Sequence, residues 1–215
     1  MTIVGEIIKL FFERISFFME LLVQHIVLSG ISIIIITVVG ISLGIFMSEN
    51  KILANSILAM TNFFYTIPSI ALFGFLVAIT GIGAKSAIIA LVIYGLLPII
   101  RNTYVGLTEI DPQIIDAALG MGSTKSQMMR KIKFPLALPL IFAGFRNMVV
   151  MTIALAGIAS FIGAGGLGVA IWRGITTNYP ALTITGSLLV ALLAIISDVI
   201  LGFVEKRIGG IYHEK

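Results

Sequence analysis

The chain has 215 residues, of which 59% are hydrophobic and 11% charged, with a net charge of +4 and no cysteine. A soluble domain carries about 25% charged residues, so lipid must solvate most of these side chains, and an ordinary water-soluble enzyme is excluded. Without cysteine there are no disulfides or thiol chemistry, and the two histidines, His25 and His213, have no metal-ligand spacing. No metal and no cofactor are expected.

Near the start, Glu6, Lys9, Glu13, Ser16, Glu20 and Gln24 recur every three or four residues, with Ile7, Ile8, Phe11, Phe12, Ile15, Phe18 and Leu22 between them. This predicts an amphipathic helix over residues 1–25, lying in the membrane interface or packed on the body of the protein. Its glutamates interrupt the apolar run and no small-residue cleavage site follows, so it does not read as a signal peptide.

Residues 26–204 read as one transmembrane domain. The first span is 26–47, ending at the hydrophilic turn 48–51. The second is 52–80, holding Asn55, Asn62 and Pro68, where proline frees a carbonyl and permits a kink. The third is 86–100, with Gly95 and Pro98 near its end. A polar interval, 101–135, is followed by a fourth span at 137–159 carrying Arg146 and Asn147. After the glycine-rich run 161–168 and a less hydrophobic link comes a fifth span, 181–204, carrying Asp198, and then a polar tail, 205–215. The fold class predicted is an all-α polytopic membrane protein with about five transmembrane helices.

Five spans put the termini on opposite sides. With the polar interval inside, Lys51, Arg101, Lys125, Arg130, Lys131, Lys133, Lys206, Arg207 and Lys215 are cytoplasmic, against Lys9, Arg14, Lys85 and Arg173 outside. The positive-inside rule therefore predicts an outside N-terminus and a cytoplasmic C-terminus. The same bias accounts for the net charge, and no basic patch is interleaved with aromatic residues, so nucleic acid is not an expected partner.

Several motifs are near misses. Gly163, Gly165 and Gly168 satisfy G-x-G-x-x-G, but a membrane span precedes them and no acidic residue follows before Asp198. Gly163, Gly165, Gly166 and Gly168 are instead expected to make a flexible bend where helices approach closely. The runs at 122–126 and 83–86 lack the glycine directly before lysine that a phosphate loop needs, so the chain is not expected to bind ATP. Arg146 and Asp198 are costly within spans unless paired or wet, and a pair between them is expected. Phe63, Phe64, Tyr65, Tyr94 and Trp172 either anchor at the interface or line a path. No nucleophile–base constellation accompanies them, so the chain is not expected to be an enzyme.

The polar interval resembles the coupling signature of bacterial ABC importer permeases, E-A-A-x3-G-x9-I-x-L-P. Asp116, Ala117 and Ala118 are followed at the family's offsets by Gly122, Ile132 and Pro135, with Asp in place of Glu and Phe134 in place of Leu. The stretches 67–77, 87–107 and 160–168 are similar to the osmoprotectant branch, which serves glycine betaine, carnitine and choline. This resemblance implies a MetI-like permease with a cytoplasmic coupling-helix loop, located in the bacterial inner membrane. It also implies cytoplasmic ATPase subunits, a second permease copy (identical or a paralogue) and a separate extracytoplasmic substrate-binding protein. Asp116 near a helix N-terminus would be favoured by the helix dipole, Ser123 or Thr124 would cap the next turn, and Pro135 would start the fourth span. The alternatives are a permease of the same architecture for another solute, such as an amino acid, and an ion-coupled carrier, which would call for inverted repeats.

Overall fold

The computed structural model describes residues 2–213, with side chains as far as Ile208. Its helices are α1 (Ile3–Glu13), α2 (Ile15–Ser48), α3 (Lys51–Thr66), α4 (Ser69–Thr80), α5 (Ala84–Thr108), α6 (Pro112–Gly120), α7 (Lys125–Met128), α8 (Phe134–Ala159), α9 (Gly168–Thr176) and α10 (Pro180–His213). A π-turn, Met129–Lys133, joins α7 to α8, and a 3-10 turn, Ser160–Ile162, follows α8.

α2, α5, the rod Lys125–Ile162 and α10 are each long and apolar enough to cross a membrane. The second predicted span is not one helix: α3 and α4 meet at 99°. Pro68 has no N–H to continue the ladder, and the residue before a proline is pushed out of the α region; Ile67 accordingly sits at φ −70°, ψ 129°. The bent pair still traverses the domain. Its start follows Ser48 and Glu49, which share a cleft with Lys125 and Lys133, whereas Gly83, just beyond its end, donates its N–H to the Ile162 carbonyl at the other end of the rod. Counting the pair once gives five traverses.

The N-terminal segment also differs. Its helix breaks at Arg14 (φ −120°, ψ 33°), so residues 15–25 belong to α2 and no boundary falls at residue 25. The break lets Leu10 of α1 and Phe18 of α2 enter one buried cluster with Leu167, Ala181 and Leu182. At the other terminus α10 continues through residue 205 to His213, so no element boundary separates span from tail; Lys215 lies outside the described residues.

α2, α5 and α8 form the packed centre, burying Ile36, Ile99, Ala137, Ile141 and Met148. Without a hydrophobic driving force between helices in lipid, close contact comes from small residues. α2 and α5 do this reciprocally: a Cβ on Gly40 would overlap the Ile99 side chain, and one on Gly95 would overlap Ile36. Gly40→Leu is therefore expected to overpack this seam by about 1–3 kcal/mol and to lower the melting temperature of the detergent-purified protein. Gly30→Ala, where nothing lies within 4 Å, should leave it unchanged or slightly raised; equal behaviour of the two variants would refute the seam.

Candidate functional site

The polar interval folds into two short helices that project from the packed centre. Asp111 caps α6, its Oδ1 accepting the Gln113 N–H at 2.9 Å, with Pro112 in the first turn. Asp followed by Pro is a helix-start signature, because the side chain takes an orphan N–H and proline needs none. Helix α6 thus begins before Asp116, which sits in its middle, exposed. The residue expected at the N-terminus by dipole arguments is Asp111 instead. Ala118 turns inward and is buried, whereas Asp116 and Ala117 face out. Beside them Leu119 is 57% and Met121 79% exposed.

α6 ends in a Schellman motif. The Ser123 N–H reaches the Ala118 carbonyl at 3.1 Å and the Gly122 N–H reaches the Leu119 carbonyl at 2.9 Å. Gly122 occupies the left-handed position at φ 77°, and a Cβ there would meet no atom within 4 Å. Its requirement is therefore backbone conformation, not space. Thr124 then caps α7 in a full capping box, its Oγ1 accepting the Gln127 N–H while Gln127 Oε1 accepts the Thr124 N–H at 2.9 Å.

No chain break separates the interval from the next span. α7, the π-turn and α8 form one rod, and Pro135 lies at the second position of α8 rather than at a fresh helix start. The Phe134 N–H donates to the Met129 carbonyl five residues back, which widens the turn ahead of Pro135, where the ordinary ladder would need a donor that proline lacks. Ile132 and Pro135 are both half-buried along this rod. Lys125, Met128 and Lys133 flank a cleft of about 280 Å³ against Ser48 and Glu49 at the end of α2.

Within the spans, Arg146 of α8 grips α10 at two places. Its Nε donates to Asp198 Oδ1 at 2.6 Å and its Nη2 to Oδ2 at 2.8 Å, a two-pronged contact. Its Nη1 donates to Glu205 Oε2 at 2.7 Å. Asp198, Gly202 and Glu205 share a helix face, and the guanidinium lies over Gly202, where a Cβ would come within 3.1 Å of Cζ. Polar surroundings place Glu205 in the tail, whereas its spacing of two turns from Asp198 is the signal that joins it to the pair.

The glycine run docks on the opposite end of α2. The Gly166 N–H donates to Gln24 Oε1 at 3.1 Å and the Leu167 N–H to His25 Nδ1 at 3.3 Å. His25 Nε2 donates to the Ile153 carbonyl at 3.0 Å, so the fully buried ring is the neutral Nε2–H tautomer. Gly163, Gly165 and Gly166 have φ of 76–83°; a Cβ on Gly165 would lie 2.7 Å from Gln24 Oε1, and one on Gly168 would overlap the Gly157 carbonyl. Neither Gln24 nor His25 stands out in the sequence, because their partners are 142 residues away.

The family described as binding-protein-dependent transport system inner membrane component matches residues 36–210. The chain is 38% identical over 193 residues to the glycine betaine/carnitine/choline transport system permease protein OpuCD of Bacillus subtilis, covering 89% of this chain and 84% of that protein. It is 43% identical over 164 residues to the ergothioneine transport permease/ergothioneine binding protein EgtU of Helicobacter pylori, covering 76% of this chain and 30% of that protein. Among solved structures, an inward-facing form of the MetNI methionine ABC transporter superposes with a TM-score of 0.75 at 25% identity, over 88% of this chain and 97% of that one.

The unequal grip of Arg146 sets an order. Asp198→Asn, which weakens two hydrogen bonds, is expected to reduce thermal stability in detergent more than Glu205→Gln, which weakens one. A double-mutant cycle of Asp198→Asn with Arg146→Gln should give a coupling above about 0.5 kcal/mol. Additive effects would rule the contact out as an energetic link.

Proposed function

The chain belongs to the binding-protein-dependent transport system inner membrane components, a family of transport permeases rather than enzymes, and on that premise we propose that it is half of the translocation path of an ATP-driven importer of quaternary amines. The substrate class follows the named relatives: glycine betaine, carnitine, choline and ergothioneine all carry a trimethylammonium group. Hydrolysis belongs to separate cytoplasmic ATPase subunits, delivery to an external binding protein, and the other half of the path to a second permease, identical or a paralogue. The N-terminus lies outside and the C-terminus in the cytoplasm, by the distribution of lysine and arginine.

The observation that carries the ATPase reading is an apolar surface within the polar interval. Ala117, Leu119 and Met121 are exposed on and just after α6, and large apolar groups left open in such a polar setting mark a partner's seat. Asp116, Ala117, Ala118, Gly122, Ile132 and Pro135 act in coupling at different levels. Ala117 and Asp116 meet the partner, Ala118 and Gly122 fix the angle between α6 and α7, and Ile132 and Pro135 join that unit to α8. An ATPase that pulls on α6 and α7 thereby moves a rod reaching the opposite membrane face.

A methionine-type permease is the second reading, favoured by the structural likeness to MetNI. The two separate by uptake: the complex should accumulate radiolabelled choline or carnitine and not methionine in proteoliposomes. Gly122→Trp is expected to abolish ATP-driven uptake by at least about tenfold while membrane insertion is kept, because the left-handed turn costs any L side chain about 1–2 kcal/mol and redirects α7. Gly122→Asn, which tolerates that region, should retain more uptake; normal uptake by the Trp variant would refute the coupling role.

A further inference from the structure

The break between α3 and α4 leaves irregular backbone deep in the membrane domain. Tyr94 of α5, whose hydroxyl donates to the Ile67 carbonyl at the break, is ten residues from Ala84, about 15 Å along the helix. That is half of a hydrocarbon core about 30 Å thick. At such depth non-helical backbone survives only where it is buried in protein or lines a wet cavity. This chain does not bury it: Tyr65, Thr66 and Pro68 are all exposed.

Two helix ends of opposite polarity meet at the opening: α4 starts there with no side-chain cap, and the N–H groups of Ser69, Ile70 and Ala71 have no acceptor among the described residues. α3 points its carbonyl end at the break. Phe64 O accepts the Ile67 N–H and Phe63 O accepts the Thr66 hydroxyl, whereas no donor among the described residues reaches the carbonyls of Tyr65 and Thr66. Beside them stands the Tyr65 ring, 45% exposed and fixed in two ways. It packs on Tyr94 with centroids 5.9 Å apart and planes at 67°, and its hydroxyl donates to Met151 Sδ of α8 at 3.4 Å. Partial negative charge from carbonyls and an aromatic face, with no ionised side chain from α3 or α4 beyond Lys51 at the far end, suits a bulky, weakly hydrated cation. A compact, strongly hydrated ion would gain less from the ring and the carbonyls.

We propose that Tyr65 and the open carbonyls of the α3–α4 break form the station at which the permease path contacts the trimethylammonium group of its substrate. This rests on the quaternary-amine reading above and adds the residue that recognises the cation. Through Met151 the station also touches α8, which is continuous with α7 and so with the polar interval.

The test uses the assembled complex of permease, ATPase and binding protein in proteoliposomes, with radiolabelled choline as probe. Tyr65→Phe is expected to keep uptake within about threefold and Tyr65→Leu to lose about tenfold or more. A series of phenylalanines at position 65 carrying zero to three ring fluorines keeps the shape and drains the π face, so uptake should fall stepwise along it. A flat fluorine series, or a Leu variant that takes up choline as well as wild type, overturns the station while leaving the quaternary-amine reading intact. Wild-type complex that accumulates no choline, carnitine or glycine betaine overturns both. If the Leu variant fails to assemble, the isosteric fluorine series alone decides.

Discussion

In hydrocarbon no water satisfies a free N–H or C=O, so every departure from regular helix must find a partner inside the protein or face a wet path. The fold can be read as the set of solutions to that constraint. The glycine run hands its N–H groups to Gln24 and His25, and Gly83 gives its own to Ile162. Ser86 donates to the Gly81 carbonyl where α4 ends. At the α3–α4 break Tyr94 satisfies Ile67, and the neighbouring carbonyls have no donor among the described residues. Side chains from distant helices thereby fix the position of each irregular segment, and the helices are pinned to one another by the same bonds.

α8 ties these solutions together. It is continuous through the π-turn with the projecting α7, it holds α10 through Arg146, it gives the Ile153 carbonyl to His25, and it orients Tyr65 through Met151. With partners at both ends and at its middle, the helix is held as one rod. The π-turn lies where this rod meets its surface unit, so Pro135 is accommodated without a break in the helix.

The periodicity of residues 6–24 located helix correctly but not its interruption at Arg14, since both pieces continue one apolar pattern and only packing of Leu10 with Phe18 selects the bend. Pro68 signals a disturbance; its size, 99°, and the capture of the Ile67 carbonyl by Tyr94 are seen only in the fold. Asp116 drew attention through its motif, while Asp111 starts the helix through a local signal that was in plain view, Asp followed by Pro. Gly122 drew attention as a member of the motif, and the structure gives it a conformational reason in the Schellman turn. Glu205 was masked by its polar neighbours, although its spacing from Asp198 put both on one helix face.

Composition by itself determined the solvent of this protein, because a chain 11% charged cannot cover itself in water. Spacing determined the resemblance to a permease family, the approximate spans and the polar interval between them. Those are properties of residues close in sequence, and helix geometry converts them directly into faces and lengths. Only the tertiary structure decided which carbonyls and N–H groups at the breaks are satisfied, by His25, Gln24 and Tyr94, and which remain open beside Tyr65. Hydrogen bonding across 27 to 142 residues leaves no periodicity to read, and whether a buried backbone group is paired is a property of the packed molecule.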